Sequence, residues 1–210
     1  MKSDNIKTDV YLMPDDRLRP EESFWNDQYK SGTVGWDLGQ VSPPIKAYLD
    51  QLTNKELRIL IPGCGNTYEA EYLIQQGFTD ITLIDIAPTL VETLTRKFAT
   101  VQGVRIILGD FFEHYDKYDL ILEQTFFCAL SPSLREAYVS KMNELLKPNG
   151  KLVGVLFDRE FQQPGPPFGA NKFQYISIFE NTFDLKILEP CYNSFSKRQG
   201  TELFMIFIRK

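Results

Sequence analysis

The sequence predicts an α/β fold in which helices cover both faces of a mostly parallel sheet. Short β-branched runs alternate with amphipathic helical patterns through the middle of the chain, which is typical of parallel strands joined by crossover helices. A turn with two glycines follows the first strand, and the last two strands lie close together in sequence, as in an antiparallel hairpin. We therefore expect a doubly wound sheet that ends in a hairpin.

Seven strands are expected, each a short run rich in apolar and β-branched residues, at 57–61, 80–84, 104–108, 119–122, 151–157, 183–188 and 202–208. The helices follow an apolar period of about 3.6 residues, at 43–52, 67–76, 88–98, 132–146 and 172–181. Pro43 and Pro88 mark helix starts, and Gly77 marks a helix end.

The length of 210 residues favours one domain with additions, since domains average about 150 residues. Residues 1–22 are polar, contain two prolines and lack an apolar period, so we expect a mobile N-terminal arm. Residues 23–210 form the predicted domain. Its first part, 23–52, is rich in aromatic residues ahead of the first strand and is expected to act as a helical lid.

Composition excludes several classes of protein. The formal net charge of −5 argues against a surface that binds nucleic acid. The chain has 3 cysteines and no CxxC pair, which favours free thiols in a reducing compartment over a disulfide framework or a zinc site. No apolar stretch is long enough for a signal peptide or a membrane span. We expect a cytoplasmic protein, with a monomer as the default.

The glycine turn is the first candidate for a ligand site. Gly63 and Gly65 allow the backbone to approach a ligand closely, and the helix that follows favours an anionic group at its N-terminus. A dinucleotide fingerprint needs a third glycine where this chain has Tyr68, which argues against an NAD-dependent oxidoreductase. The alternative is a turn that only reverses the chain.

Acidic residues follow the next two strands. Asp85 lies roughly 20 residues after Gly63, the spacing of an acid that accepts hydrogen bonds from ribose hydroxyls. Its alternative role is to cap the helix that begins at Pro88. Asp110 can accept a hydrogen bond from an adenine amine, and we expect one ring of the Phe111–Phe112 pair to face the ligand and the other the core.

Glu123 and Gln124 leave the fourth strand at this edge, so we expect them beside the glycine turn. The alternatives for Glu123 are a buried acid that caps the next helix and a solvated side chain. Together, these strand-end residues predict a nucleoside site.

These motifs resemble those of class I S-adenosylmethionine-dependent methyltransferases of the thiopurine methyltransferase family, and the likeness is closest to the plant-type halide and thiol methyltransferases. The resemblance runs from about residue 23 onward. It rests on Phe24-Trp25, Tyr29, Gly32, Trp36-Asp37, Gly39, Pro62-Gly63-Cys64-Gly65, Asp85, Gly109-Asp110-Phe111-Phe112, Thr125-Phe126-Phe127-Cys128-Ala129, Leu145-Leu146-Lys147-Pro148-Asn149-Gly150 and Gly165-Pro166-Pro167-Phe168.

The resemblance implies a Rossmann-like fold and an enzyme that moves a methyl group from S-adenosylmethionine to a small nucleophile, either a thiol or sulfide or a halide. Trp25, Tyr29 and Trp36 are expected to close over the sulfonium, to which aromatic rings supply cation–π attraction. Phe126, Phe127 and Phe168 are expected to exclude water from the acceptor. The alternatives are an oxygen, nitrogen or metalloid acceptor, and a module that binds the nucleoside without turnover.

No catalytic residue is assigned, because a thiolate or halide is already anionic and needs no strong base. His114 is expected on a solvated turn, Cys64 is expected to pack rather than react, and no metal ligands cluster in the sequence. Arg198 either attracts an anionic acceptor or lies on a solvated turn. The acceptor loop departs from the plant pattern at Phe168, where those enzymes tend to have tyrosine.

Overall fold

One mixed sheet organises the computed structural model, which describes residues 11–12, 20–163 and 165–210. Its strands are β1 (Tyr11–Leu12), β2 (Ile59–Pro62), β3 (Ile81–Asp85), β4 (Val104–Leu108), β5 (Tyr118–Gln124), β6 (Leu146–Phe157), β7 (Phe183–Pro190) and β8 (Glu202–Arg209). They lie in the order β1-β4-β3-β2-β5-β6-β8-β7, and only β8 runs antiparallel to its neighbours β6 and β7. The seven predicted strands and the antiparallel C-terminal pair are confirmed.

The two-residue strand β1 extends the predicted sheet at its edge, beside β4. It falls within the predicted arm, most of which lies outside the described residues. The division into an arm at 1–22 and a domain at 23–210 stays a prediction, and the first helix begins at Pro20, ahead of that boundary.

The helices are α1 (Pro20–Ser31), α2 (Pro43–Leu49), α3 (Tyr68–Gln75), α4 (Pro88–Lys97), α5 (Arg135–Leu145) and α6 (Lys172–Phe179). The starts at Pro43 and Pro88 are as predicted. Strand β5 extends beyond the predicted end at 122, because Glu123 and Gln124 continue the parallel pairing with β6. Within the described residues, no helix is long and apolar enough to cross a membrane.

Two apolar cores lie on opposite faces of the sheet, so the fold has three layers. One core packs α2, α3 and α4 against strand residues such as Ile59, Ile61 and Leu83. The other packs α5 and α6 against Leu60 and Ile84. Neighbouring strand residues belong to different cores because successive side chains point to opposite faces of a strand.

The strand order reverses between β2 and β5. From β2 the chain adds β3 and β4 on one side of the sheet and then crosses to β5 and β6 on the other. In open α/β sheets, ligands bind outside the carboxyl ends of the strands at such a switch point. We therefore expect a ligand site at the turns after β2, β3, β4 and β5.

Gly154 in β6 provides a test of this packing. A Cβ at that position would lie 1.9 Å from the carbonyl oxygen of Glu123, so Gly154→Ala must force β5 and β6 apart. We expect it to reduce the free energy of unfolding by at least about 1–3 kcal/mol in urea titrations followed by circular dichroism. Gly35→Ala is the matched control, since a Cβ there meets no atom within 4 Å. Equal midpoints for the two variants would contradict the described packing.

Candidate functional site

The turn between β2 and α3 has an unusual backbone. Gly63, Gly65 and Thr67 all have φ near +53°, in the left-handed region that glycine tolerates best. The ring of Phe126 lies against Gly63, where a Cβ would come within 2.3 Å of the ring. Both a positive φ and close ring contact therefore require glycine at position 63.

Asp85 joins this turn to the next strand–helix unit. It is the last residue of β3 and is buried; its Oδ2 accepts a hydrogen bond from Gly65 N–H at 3.2 Å, and its Oδ1 accepts one from Ala87 N–H at 3.0 Å. Burial raises the pKa of this carboxyl to about 6. Asp85 thus supports the start of α4, which is the alternative role considered for it from the sequence. Its two oxygens keep lone pairs that can accept hydrogen bonds from further donors.

The three predicted lid rings gather over the glycine turn. The Trp36 ring lies edge-on to the rings of Trp25 and Tyr29, with centroid distances of 5.3 and 5.7 Å. The Trp36 indole also hydrogen-bonds the Tyr29 hydroxyl, which would lie 3.4 Å from a Cβ placed on Gly65. Burial and the neighbouring carboxylate of Asp85 raise the pKa of Tyr29. The lid therefore reaches the strand ends at β2 and β3.

Polar side chains to which the sequence analysis gave no such role fix the lid in place. Asn26 Oδ1 accepts a hydrogen bond from Thr89 N–H at 2.9 Å and so caps the first turn of α4. The carboxylate of Asp37 accepts hydrogen bonds from the Asn66 amide and, at 3.3 Å, from the Tyr68 hydroxyl. Tyr68, which occupies the place of a third glycine, therefore holds the lid.

At the end of β4, Asp110 Oδ1 accepts a hydrogen bond from Phe112 N–H at 2.8 Å and caps the short helical turn Phe111–Glu113. Phe111 is buried in the core against Phe126, at a centroid distance of 5.1 Å. Phe112 is only partly buried. Of the two rings, Phe112 is the one open to a ligand, and Phe111 is the one packed in the core.

Glu123 and Gln124 have different surroundings. Glu123 is fully buried; its Oε1 accepts hydrogen bonds from the N–H groups of Phe126 and Phe127 at 2.8 and 2.9 Å, and its Oε2 accepts one from the Tyr138 hydroxyl at 2.5 Å. These bonds are those of a buried capping acid. Burial raises the pKa of Glu123 to about 7. Gln124, the next residue, lies on the wall of the crevice described below.

A crevice opens where the glycine turn, the lid and the end of β5 meet, and it is lined by Trp36, Asp37, Gln40, Gly63, Gly65, Asn66, Thr67, Tyr68, Gln124 and Thr125. Thr67 precedes α3, and its buried hydroxyl has no hydrogen-bond partner among the described residues. The sequence pattern placed Thr67 at the start of the predicted helix 67–76, and neither its left-handed φ nor its missing cap bond was predictable. A buried, unpaired hydroxyl beside a helix N-terminus suits an anionic group.

His114 does not lie on a solvated turn as expected. It is 7% exposed, and its Nε2 is 2.8 Å from the hydroxyl of Tyr118, the first residue of β5. Burial lowers the pKa of His114 to about 4. Because Tyr118 lies at the amino end of β5, the histidine is on the edge of the sheet opposite the crevice.

Arg198 also departs from the expected solvated turn, since it is buried beneath the lid. Its Nη2 donates a hydrogen bond to the carbonyl oxygen of Trp36 at 2.6 Å.

The cysteines are buried and free, as expected. Burial raises the pKa of Cys64 well above its ordinary value, so proximity to the start of α3 does not activate it. Among the described residues, no three His, Cys, Asp or Glu side chains are grouped so that they could hold a metal ion.

Comparison with protein families decides the assignment. A family model described as thiopurine S-methyltransferase (TPMT) matches residues 20–205. The chain belongs to the thiopurine S-methyltransferase family. It is therefore an S-adenosylmethionine-dependent methyltransferase, as the motifs implied.

Relatives within the family support this assignment. A protein from Arabidopsis thaliana named probable thiol methyltransferase 2 is 33% identical over 169 residues, which cover 77% of this chain and 74% of the relative. Thiocyanate methyltransferase 1 from Brassica oleracea is 27% identical over 188 residues, which cover 87% of this chain and 83% of the relative.

The fold is shared more widely. The structure of 1,6-didemethyltoxoflavin-N1-methyltransferase from Burkholderia thailandensis, solved with bound 1,6-didemethyltoxoflavin and S-adenosylhomocysteine, matches with a TM-score of 0.71 at 17% identity. The match covers 94% of this chain and 93% of that one. The Rossmann-like methyltransferase fold is thus confirmed.

The buried carboxyl of Glu123 gives a pH test of the site. Its pKa is about 7 in the folded protein and 4.5 when unperturbed, so the folded state holds this proton more tightly. Its contribution to the free energy of unfolding therefore falls as the pH rises through this window. Glu123→Gln should remove that dependence because an amide does not titrate, and its oxygen can still accept the two backbone hydrogen bonds. Urea titrations between about pH 5 and pH 8 should show the variant gaining stability relative to the wild type. A constant difference across the range would contradict the raised pKa.

Proposed function

We propose that this protein transfers the methyl group of S-adenosylmethionine to a small anionic nucleophile, a thiolate or sulfide in preference to a halide. The observation that carries the proposal is that neither the buried acid Glu123 nor His114 is placed to remove a proton from an acceptor. Glu123 has both oxygens engaged in hydrogen bonds, and His114 lies at the opposite edge of the sheet. An acceptor that arrives already ionised needs no proton removed, and proximity and orientation then supply the catalysis.

Residues at the carboxyl edge fit the parts of S-adenosylmethionine, which supplies an electrophilic methyl group on a positively charged sulfur. The lone pairs of Asp85 suit the ribose hydroxyls, and the open turn at Gly63 and Gly65 suits close approach of the nucleoside. The unpaired hydroxyl of Thr67, at the start of α3, suits the carboxylate of the amino-acid tail.

Other residues of the proposed cofactor site are assigned on weaker contacts. Asp110 and the partly buried ring of Phe112 lie after β4, where the adenine would extend, and Phe111 supports that ring from the core with a centroid distance of 5.3 Å. Glu123 lies beneath the site and supports it indirectly, because its carboxylate accepts a hydrogen bond from the N–H of Phe126. Gln124 faces the crevice directly.

The sulfonium would lie under the lid. The faces of the Trp25, Tyr29 and Trp36 rings attract a positive charge, and the indole and phenyl carbons do not compete for the methyl group. The crevice beside them is formed by lid and strand ends together, which lets closure of the lid exclude water.

The acceptor is proposed to enter between Phe126 and the loop that carries Phe168. That loop is held to the short helical turn Phe127–Ala129, which follows β5, by a hydrogen bond from Phe168 N–H to the carbonyl oxygen of Cys128 at 2.7 Å. Phe127 is buried against Tyr138, at a centroid distance of 5.0 Å, so it supports this wall from the core. An apolar wall suits a large, weakly hydrated nucleophile such as sulfur. The names of the thiol and thiocyanate relatives support the same choice.

We also propose that the protein acts as a monomer in the cytoplasm on a small-molecule acceptor; free, buried cysteines are typical of a reducing compartment.

Asp85→Asn tests the ribose contact. The amide keeps one acceptor oxygen but loses the charge, so we expect S-adenosylmethionine affinity to fall about tenfold or more, measured by calorimetry. Wild-type affinity should also weaken as the pH falls through about 6, where Asp85 gains a proton, and the variant should lack this dependence. Asp184→Asn, at an exposed acid on β7, is the control. Unchanged affinity in folded Asp85→Asn protein would count against the ribose role.

A panel of acceptors tests the reaction. We expect S-adenosylhomocysteine release with bisulfide and organic thiols, weaker release with iodide, and none with a catechol. Thr67→Val should weaken donor binding without changing this ranking, since it removes only the unpaired hydroxyl. Turnover with an oxygen, nitrogen or metalloid acceptor alone would replace the proposed acceptor class. Donor binding without turnover on any acceptor would favour a nucleoside-binding module.

A further inference from the structure

Arg198 lies where the lid meets the C-terminal strands, and its contacts are unlike those of a surface arginine. It ends the short helical turn Ser196–Arg198 that precedes β8, yet it is only 8% exposed. The guanidinium lies over the ring of Phe157, with 5.2 Å between its central carbon and the ring centroid. A charge buried to this extent requires good partners, because it has lost most of its hydration.

Both ends of the guanidinium are engaged. Nη2 donates a hydrogen bond to the Trp36 carbonyl oxygen at 2.6 Å, and Nη1 donates one to Oε1 of Glu202 at 3.4 Å. Glu202 is buried as well, so its negative charge offsets the positive charge of Arg198. This neutral pairing argues against Arg198 as a free positive charge that attracts an anionic acceptor.

The bond to Trp36 acts on the centre of the lid. The Trp36 ring touches both other lid rings, Trp25 and Tyr29, so fixing its backbone fixes the cluster. Arg198 also influences the far end of this lid segment. Burial raises the pKa of Glu69, and the positive charge of Arg198 counteracts part of this rise. The Glu69 carboxylate in turn accepts a hydrogen bond at 2.9 Å from the N–H of Ser42, which belongs to the lid segment.

We infer that Arg198 is a positioning residue, which sets the place of Trp36 over the glycine turn by joining the lid to the start of β8. This inference rests on the proposed function, since the lid rings matter to catalysis only if they close over the methyl donor. A planar guanidinium can donate to a carbonyl and a carboxylate at once, whereas the single ammonium of lysine cannot keep the same geometry.

The chain offers a direct reporter. Its 2 tryptophans, Trp25 and Trp36, both belong to the lid, so intrinsic tryptophan fluorescence reports on the lid alone. The test compares Arg198→Lys with the matched control Arg105→Lys in the full chain. Arg105 also pairs with a carboxylate, Asp116, at 2.6 Å, but it lies near the amino ends of the strands. Both variants keep the positive charge but lose the planar guanidinium, which can donate hydrogen bonds in two directions at once.

For Arg198→Lys we expect an unchanged far-UV circular dichroism spectrum, red-shifted tryptophan emission and stronger quenching by acrylamide. The dissociation constant for S-adenosylmethionine should rise about tenfold and kcat should fall, because small misplacements of positioning groups can lower rates by about 100-fold. Arg105→Lys should lower the melting temperature without changing the emission or the donor affinity.

Three results would overturn the inference. Unchanged emission and donor affinity, with a raised KM for an anionic acceptor only, would make Arg198 an acceptor-binding residue. Equal changes in both lysine variants would indicate general destabilisation. Unchanged emission in Arg198→Lys without ligand would by itself refute the positioning role. This ligand-free measurement is independent of turnover, so wild-type protein that binds no S-adenosylmethionine would defeat the proposed function and leave the lid test standing.

Discussion

The buried carboxylate of Asp85 is the interaction on which the carboxyl edge of the sheet depends. A strand-to-helix turn leaves backbone N–H groups without regular partners, and in a buried setting each must find one. Asp85 satisfies one such group in the turn after β2 and another at the start of α4. Two adjacent strand–helix units are thereby held in register at the switch point. Glu123 does the same for the turn after β5, so strand-end acids organise both sides of the reversal.

The lid depends on this edge for its own position. Its aromatic rings contact one another, but its polar anchors belong to other elements: the start of α4, the start of α3 and the turn before β8. A segment that takes its place from three separate elements is sensitive to each of them. This arrangement explains why a site dominated by apolar rings still needs well-placed polar groups.

Local patterns were sufficient to predict most of the fold. Apolar periodicity located the strands and helices, and the spacing from the glycine turn to Asp85 identified the edge at which the site lies. The same patterns could not separate Glu123 from Gln124, because which of two adjacent strand residues faces the core depends on the neighbouring strand. They also placed His114 in solvent and left Arg198 between a solvated turn and a contact with an anionic acceptor. Their burial is decided by Tyr118 in one case and by Trp36, Glu202 and Phe157 in the other, and the partners of Arg198 are mostly distant in sequence.

The hydrogen bond between Trp36 and Arg198 joins residues that are 162 positions apart. During synthesis the lid emerges well before β8, and contacts between such distant segments are slow to form because a long loop must close first. The strands from β2 to β6 can pair while the later residues are still being made. On the inferred role of Arg198, the aromatic cluster reaches its final position only after the turn before β8 has been made, so a nascent chain can hold a largely formed sheet while it still lacks a closed site.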